Sequence, residues 1–297
     1  MGIRAFLAKN AAMIFDVAAE IDYAVNFRSA MILSVHAQES SSQQILKEHF
    51  ELTPKVQTTM FRDEHGNRFI RLDTANHKSL ALRYSATVDC DFGIHHADKI
   101  AATPVTALDQ AAVPYLFPSR YCQSDRLSKM AWDLFGSCET PHDKVVKITE
   151  WIYNNVDYVR GSTNAATSAY DTVTQRAGVC RDFAHLGIAL CRALNIPARY
   201  FTGYAYGLQP PDFHACFECQ IGGSWMVFDA TRLAHLNGLV RIATGRDAAD
   251  TAVASVFGSV RCTQMKVSCE VGSNQTFVPI RSEQLGPRGV TIAAGGE

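Results

Sequence analysis

A cysteine, a histidine and an aspartate occur in an order that can supply a nucleophile, a base and an orienting acid. Cys180 stands in "GVCRDFAHL", at the start of an apolar helical pattern, and His214 and Asp229 stand in "FHACFECQIGGSWMVFDAT". A thiol attacks a carbonyl carbon as its thiolate, an imidazole takes up the proton, and a carboxylate fixes the imidazole tautomer. These residue types therefore indicate acyl transfer, provided that the fold brings them together.

A predicted β-hairpin brings the histidine and the aspartate together. Its turn is expected at Gly222 and Gly223, because paired glycines accept the backbone angles of a tight hairpin turn. In that register His214 lies opposite Thr231, and Asp229 is its diagonal neighbour on the same face of the sheet. The spacing therefore predicts contact between His214 and Asp229.

The cysteine is predicted to begin a helix that runs from about Cys180 to Leu194. Asn195 is suited to the left-handed position after the helix, and Pro197 cannot continue it. A helix N-terminus favours negative charge and therefore favours a thiolate. Gly178 is expected to allow a tight turn with room for an acyl group, and the backbone N–H of Cys180 is the candidate donor to an oxyanion.

The rest of the chain separates into a strand-rich part and a helix-rich part. Short β-prone runs over residues 13–88 predict an antiparallel β-sandwich domain within residues 1–100, with no catalytic residue in it. The stretch "SSSQQILKEHFEL" breaks this pattern and is interpreted as a helical turn or a long loop. Residues 101–121 contain three prolines and little periodicity, and are predicted to be a linker.

The predicted catalytic domain covers residues 122–297. Two helices are expected after the linker, the second with Thr140 as its N-cap and Pro141 at its first position. A shorter helix precedes Gly178, and strands follow in "ARYFTGYAYG" and "SVRCTQMKVSCEV". The fold class is therefore α+β, with a nucleophile helix on an antiparallel sheet.

Composition excludes several classes of function. The 297 residues carry a formal charge of -1, so no basic surplus is present for binding nucleic acid. The nine cysteines are an odd number in a chain too long to need a disulfide framework, which favours reduced thiols. Lys9 interrupts the apolar N-terminal run, and no segment is long and apolar enough for a membrane span. A cytoplasmic location, without a nucleic-acid or membrane partner, is expected.

The remaining cysteines are expected to be structural. Cys191 is interpreted as part of the helix core. Cys216 and Cys219 form a C-x-x-C pair, but two residues three positions apart in a strand point to opposite faces, and no knuckle turn joins them. No cluster of carboxylates resembles a calcium cage. The sequence therefore predicts neither a metal site nor a cofactor.

Several polar and aromatic residues have both a structural and a functional interpretation. Glu218 shares a strand face with His214, and is either a polar neighbour of the site or a solvated position. Tyr170 and Trp225 are either walls of a cleft or core residues. Asp182 is expected to interact with the helix dipole, and His185 to be structural. The substrate is expected to depend on cleft loops such as "AYGLQPPDF", residues 205–213.

Three segments resemble the bacterial transglutaminase-like superfamily, which includes candidate cysteine proteases. They are "GVCRDFAHLGIALCRALNIPARYFTGY", "DFHACFECQIGGSWMVFDAT" and "VRIATGRDAAD", and the resemblance is densest over residues 167–258. The N-terminal strands are similar to the β-domain that often precedes this core. The resemblance implies a papain-like core with Cys180 as nucleophile, His214 as general base and Asp229 as orienting acid. Two departures are the "ATR" after Asp229, where proline is frequent, and Cys216, where an aromatic residue is frequent.

The expected function is cleavage of a peptide, isopeptide or carboxamide bond through a thioester on Cys180. The expected partner is a peptide or protein substrate, and no oligomeric state follows from the sequence. Hydrolysis is the first choice, because nothing in the chain marks an amine-binding site. The alternatives are protein-glutamine amine transfer by a transglutaminase and a binding module that keeps the fold without turnover.

Overall fold

The computed structural model describes residues 12–97, 100–273 and 275–292. Its strands in chain order are β1 (Met13–Leu33), β2 (Gln43–Thr53), β3 (Thr58–Arg62), β4 (Arg68–Asp73), β5 (Ser79–Cys90), β6 (Gly93–His96), β7 (Asp157–Tyr158), β8 (Ala177–Gly178), β9 (Ala198–Ala205), β10 (His214–Ile221), β11 (Ser224–Phe228), β12 (Leu239–Gly245), β13 (Ala254–Val271) and β14 (Arg288–Thr291). Its α-helices are α1 (Ser124–Phe135), α2 (Pro141–Asn155), α3 (Ala169–Gln175) and α4 (Cys180–Ala193). Lys9, which bears on the expected location, lies outside the described residues. None of the helices within the described ranges combines the length and the apolar character that crossing a membrane requires.

The first sheet is antiparallel and is built around the long strand β1. The strand order is β2-β5-β1-β4-β3, and β13 also pairs with β1. Alternate residues of β1, such as Phe15, Val17 and Ile21, are buried, because successive side chains of a strand point to opposite faces. The predicted antiparallel β-domain is confirmed, but its strands form a single curled sheet and not the two facing sheets of the expected sandwich.

The interpretation of "SSSQQILKEHFEL" as a helical turn or loop is wrong. Most of this stretch belongs to β2, which pairs with β5 from Gln43 opposite Cys90 to Thr53 opposite Ala81. β2 ends the strand order of the first sheet and most of its residues are exposed or half-buried. Charged residues suit such an edge strand because they discourage pairing with other chains. The apolar alternation of a half-buried strand is therefore missing from its sequence.

Two strands connect the two parts of the chain. β6 lies within the predicted N-terminal domain but pairs with β14 in the second sheet. β13 lies within the predicted catalytic domain but pairs with β1 over most of its length. The predicted linker contains two short 3-10 helices, Val105–Ala107 and Gln110–Leu116. The division into residues 1–100, 101–121 and 122–297 stays a prediction. The two pairings show that each predicted domain contributes a strand to the sheet of the other.

The two sheets also share a hydrophobic core. The buried face of the first sheet packs against Tyr204 of β9 and against Val240, Ile242 and Ala243 of β12. The phenol of Tyr204 donates a hydrogen bond of 2.6 Å to the backbone oxygen of Val35. The N-terminal sheet is therefore part of the support of the second sheet.

The predicted helices are confirmed close to their predicted bounds. α2 begins at Pro141, and the Thr140 hydroxyl accepts a hydrogen bond from the Asp143 N–H at 3.1 Å. α4 begins at Cys180, and Asn195 after its end has the left-handed φ of 62°. The local capping signals therefore determine where these helices begin and end.

The second sheet carries the nucleophile helix. Its strand order is β12-β9-β10-β11-β14-β6, and buried residues of α4 pack on β9 and β10. The approach is close at Gly187, where an added Cβ would lie 2.5 Å from the Phe217 ring. This confirms the expected core of a helix on an antiparallel sheet.

The hairpin has the predicted turn and register. Ile221 pairs with Ser224, and Gly222 and Gly223 have positive φ values of 60° and 82°. A two-residue turn with both φ values positive matches the twist of the strands and favours glycine. The register therefore follows from two adjacent residues.

Candidate active site

The start of α4 is held by an aspartate two residues after the cysteine. The Asp182 carboxylate accepts hydrogen bonds from the Val179 N–H at 2.9 Å and from the Thr163 hydroxyl at 2.6 Å. A Cβ on Gly178 would lie 2.7 Å from the Cβ of Asp182. Gly178 is therefore required by the packing of Asp182, and its expected role of making room for an acyl group stays a prediction. Cys180, which is half-buried, is the first residue of the helix that is held in this way.

His214 lies at the first position of β10 and is buried. Its Nε2 atom lies 3.0 Å from Oδ2 of Asp229, as the hairpin register predicted. The Cys180 side chain is the other hydrogen-bonding neighbour of the ring, which leaves Nδ1 to face the thiol. The structure therefore brings Cys180, His214 and Asp229 together in one array.

The buried Asp229 carboxylate is held by the chain that follows it. Its Oδ1 accepts hydrogen bonds from the Thr231 N–H at 2.9 Å and from the Thr231 hydroxyl at 2.7 Å. Its Oδ2 accepts a hydrogen bond from the Ala234 N–H at 3.0 Å. Thr231 belongs to the "ATR" that departs from the commonest family pattern, so this departure supplies two of the donors that orient Asp229.

The electrostatics of the array favour a charged imidazole. Burial by itself lowers the pKa of His214, but the charge and hydrogen bond of Asp229, together with Cys180, raise it to about 10. Burial raises the pKa of Asp229, whereas the attraction of His214 and the hydrogen bonds described above bring it below its ordinary value. The pair is therefore imidazolium and carboxylate at neutral pH, and a positive charge beside a thiol favours the thiolate.

Tyr158 is a part of the site that sequence reasoning missed. Its phenol oxygen accepts a hydrogen bond from the backbone N–H of Cys180, and its hydroxyl donates one to the Cys180 side chain; burial and the Cys180 charge raise its pKa to about 12. It is held there because β7 pairs in parallel with β8, with Tyr158 opposite Gly178. The signal was weak, because a two-residue strand has no measurable periodicity.

Two clefts meet at the thiol, and Cys180, Phe213 and His214 line both. The first cleft has a volume of about 380 Å³, and its further walls include Tyr121, Ala165, Tyr200, Thr202, Ala248 and residues 251–254. The second cleft has a volume of about 220 Å³, and its further walls are Tyr158, Arg160, Leu208, Gln209, Pro210, Asp212 and Leu233. The loop predicted to line a cleft therefore does so. The thiol is open to ligands from two sides.

The other cysteines of the core have structural positions. Cys216 and Cys219 are buried in separate clusters on opposite faces of β10, as predicted. The Cys219 thiol lies 3.6 Å from that of Cys191, also buried. No group of three or more histidine, cysteine, aspartate or glutamate side chains in the described ranges is arranged to hold a metal ion.

The two open interpretations of Glu218 are resolved by its partners. It is fully buried, and its carboxylate forms ion pairs with Arg199 at 2.7 Å and with Arg241. Tyr170 and Trp225 are half-buried and line neither cleft, with arginines stacked on both rings. None of these residues contributes to the array around Cys180.

His185 and Asp182 have the structural roles that the sequence indicated. His185 is buried between the rings of Tyr121 and Tyr200, each 5.0 Å away, and its Nε2 accepts a hydrogen bond from the Ala248 N–H at 3.1 Å. Burial lowers its pKa well below the ordinary value, so it stays neutral. Asp182 acts through the cap of α4 described above.

Comparison with known proteins gives the family. The model of the transglutaminase-like superfamily matches residues 128–230, and that of the bacterial transglutaminase N-terminal domain matches residues 13–111. A solved structure, named "Putative Cysteine Protease from Cytophaga hutchinsonii", is 51% identical with a TM-score of 0.91. The match covers 96% of this chain and 99% of that chain.

Curated relatives occur in mycobacteria. The uncharacterized protein ML0607 of Mycobacterium leprae is 23% identical over 246 residues, which cover 79% of this chain and 88% of that protein. The uncharacterized protein Rv2569c of Mycobacterium tuberculosis is 42% identical over 60 residues, 20% of this chain and 19% of that protein. The two family models and the 51% identical solved structure together show that the chain belongs to the transglutaminase-like superfamily.

Proposed function

We propose that the protein is a thiol-dependent acyl-transfer enzyme that hydrolyses peptide, isopeptide or carboxamide bonds. The observation that carries the proposal is the array of Cys180, His214 and Asp229 at the meeting point of two clefts. A merely structural cysteine would need neither a buried ion pair beside it nor access from two sides. Cys180 is the proposed nucleophile, His214 the general base and Asp229 the orienting acid.

In the first half of the mechanism, the Cys180 proton already resides on Nδ1 of the His214 imidazolium, and the thiolate sulfur attacks the carbonyl carbon of the substrate. The carbonyl oxygen becomes an oxyanion, which needs donors that are already in position. The backbone N–H of Cys180 and the phenol of Tyr158 are the proposed donors, because both groups meet beside the thiol and would exchange the hydrogen bonds described above for bonds to the oxyanion. The raised pKa of Tyr158 keeps its proton available for donation at neutral pH.

In the second half, the bond between carbon and nitrogen breaks as His214 donates a proton to the leaving amine or ammonia. A thioester remains on Cys180. Water then attacks the thioester carbon while His214 takes a proton, which releases a carboxylic acid and restores the thiol. A primary amine in place of water would give a new amide, so amine transfer is the second candidate. The access to Cys180 from a second cleft supports it, because an acceptor can approach there.

The proposal is tested by comparing the wild-type protein with Cys180→Ala and Cys262→Ala on a panel of peptide, isopeptide and side-chain amides. Release of ammonia or amine measures cleavage, and added hydroxylamine captures any thioester as a hydroxamate. We expect Cys180→Ala to abolish release while Cys262→Ala, which changes an exposed thiol on β13, retains it. Tyr158→Phe should lower kcat by about 10²- to 10³-fold, because it removes a single oxyanion donor.

A matched labelling experiment needs no substrate. Iodoacetamide should modify Cys180 in the wild-type protein faster than exposed Cys262, because the positive charge of His214 beside Cys180 favours the reactive thiolate. Wild-type hydrolysis by Cys180→Ala would overturn the proposal. Accessible but slow Cys180, together with no amide turnover, would favour a binding module on the same fold.

A further inference from the structure

The second cleft contains two charged side chains that have no ion-pair partner within the described part of the chain. Asp212 is half-buried, and among the described residues its carboxylate accepts one hydrogen bond, from the adjacent Phe213 N–H at 2.8 Å. Arg160 is exposed, and its guanidinium has neither a hydrogen bond nor an ion pair with the described residues. Both residues line the cavity that Cys180 and His214 also line.

The other charges near the site are paired, which sets these two apart. Arg181, which lines the first cleft, forms an ion pair with Asp182 at 3.4 Å. Within the sheet, Glu218 is neutralised by Arg199 and Arg241. A paired charge is already satisfied by the protein, whereas an unpaired one in a cleft is available to a ligand. The second cleft is therefore the one whose side chains, Asp212 and Arg160, can select a ligand by its charge.

The carboxylate of Asp212 lacks compensation for its partial burial. Burial raises its pKa, and the Phe213 N–H and the more distant charges of Arg160 and His214 counteract this only in part. Removing a charge from water is unfavourable unless a partner replaces the lost hydration. An ammonium group bound in the cleft would supply that partner. Arg160 and Asp212 do not pair with each other, so the same cavity offers one group for an anion and another for a cation.

We propose that the second cleft binds a zwitterionic group of the substrate, with its ammonium at Asp212 and its carboxylate at Arg160. A free α-amino-acid head is the simplest group of this class. A ligand with a cation alone would leave Arg160 unpaired, and one with an anion alone would leave Asp212 unpaired. This inference rests on the proposed function, because it takes Cys180 as the reacting atom beside the cleft.

The test uses four symmetrical disulfides of matched length that differ in charge. L-cystine is zwitterionic, cystamine is cationic, 3,3'-dithiodipropionate is anionic and bis(2-hydroxyethyl) disulfide is neutral. In each case the Cys180 thiolate attacks one sulfur, a mixed disulfide forms, and the other half leaves as a thiolate. The rate at Cys180 is read by peptide mass mapping and divided by the rate with the neutral reagent. Exposed Cys262 corrects for the intrinsic reactivity of each reagent.

We expect the corrected rate with L-cystine to exceed that with the neutral reagent by about tenfold or more in the wild-type protein, because each partly exposed charge pair contributes a few-fold. Asp212→Asn should lower the L-cystine and cystamine rates, and Arg160→Gln those of L-cystine and 3,3'-dithiodipropionate. Asp157→Asn is the matched control, because it removes an exposed carboxylate next to Tyr158 that does not line the cleft. Its ratios should equal those of the wild-type protein.

Equal corrected rates for all four reagents would overturn the inference while leaving the proposed function intact, provided that Cys180 reacts rapidly with the neutral disulfide. A preference for cystamine alone, unaffected by Arg160→Gln, would also overturn it, since the cleft would then select a cation. Slow reaction of Cys180 with every disulfide and with iodoacetamide would instead contradict the proposed function and, with it, the inference. These outcomes separate the two proposals.

Discussion

At the scale of single residues, the site depends on the charge that His214 carries. The raised pKa of about 10 means that the folded protein holds this proton above the ordinary value of 6.5. The resulting stabilisation is complete below about pH 6.5 and is lost as the pH rises through about 10. The lowered pKa of Asp229 has the opposite sign, so its contribution is present above the ordinary value of 3.8 and is lost as the pH falls further. The ion pair therefore stabilises the fold most between these limits.

Asp229→Asn tests this account of the histidine. Without the carboxylate, burial dominates, and the pKa of His214 should fall from about 10 to below its ordinary value of 6.5. The new amide N–H₂ can donate to Nε2, which favours the tautomer with a proton on Nδ1 and removes the base that faces Cys180. Turnover should fall by about 10²- to 10⁴-fold.

The measurement is an NMR titration of the ring protons, with the His214 signal assigned by its absence in His214→Gln. Thr231→Val is the control that removes a donor to Asp229 but keeps its charge, so the pKa of His214 should stay above 6.5. A pKa that is the same in Asp229→Asn and the wild-type protein would contradict the account.

At the scale of elements, the position of the thiol depends on how closely α4 approaches β10. Gly187 faces the ring of Phe217, and an added Cβ would lie 2.5 Å from a ring carbon. Phe217 is fully buried, so the ring has little space into which to move. We therefore expect that position 187 requires glycine because of this packing, although glycine is unfavourable inside a helix.

Gly187→Ala distinguishes packing from propensity by the sign of its effect. Propensity alone would stabilise the protein by about 1 kcal/mol, whereas overpacking costs about 1–3 kcal/mol. We expect net destabilisation in denaturant unfolding, and slower alkylation of Cys180 because the helix shifts. The same substitution in a Phe217→Leu background should cost less, since the smaller side chain leaves room. A Gly187→Ala protein more stable than the wild type would contradict the packing argument.

At the scale of the whole molecule, the two sheets are expected to unfold together. β13 leaves the rim of the first cleft at Ala254 and pairs with β1 of the other sheet. Tyr204 of β9 is buried in the core of the first sheet. Elements that share a strand and a core lose their support simultaneously, which favours a single cooperative transition.

Tyr204→Ala tests this coupling. We expect the free energy of unfolding to fall by about 3–5 kcal/mol, because a large buried ring and its hydrogen bond to Val35 are lost. Circular dichroism and the accessibility of Cys180 to iodoacetamide should report one transition in both proteins. Phe257→Ala is the control, since Phe257 on β13 is 63% exposed, and its effect should stay within about 0.5 kcal/mol. Separate transitions for the two probes would contradict the coupling.

The sequence by itself predicted what depends on neighbouring residues. The turn at Gly222 and Gly223 determines the hairpin register, and with it the meeting of His214 and Asp229. The start of α4 at Cys180 is equally local, because its capping interactions lie within a few residues. Such signals act over short stretches of chain, so they can be recognised without knowing the rest of the fold.

Only the tertiary structure decided what depends on residues distant in sequence. Tyr158 reaches the thiol because two-residue strands pair, and Glu218 is neutralised partly by Arg241 from another strand. The pairing of β13 with β1 joins strands that lie far apart in the sequence. The unpaired charge of Asp212 in the second cleft is likewise a property of the assembled fold. Local pattern carries no information on these partners, because their contacts arise from packing between segments that the sequence places far apart.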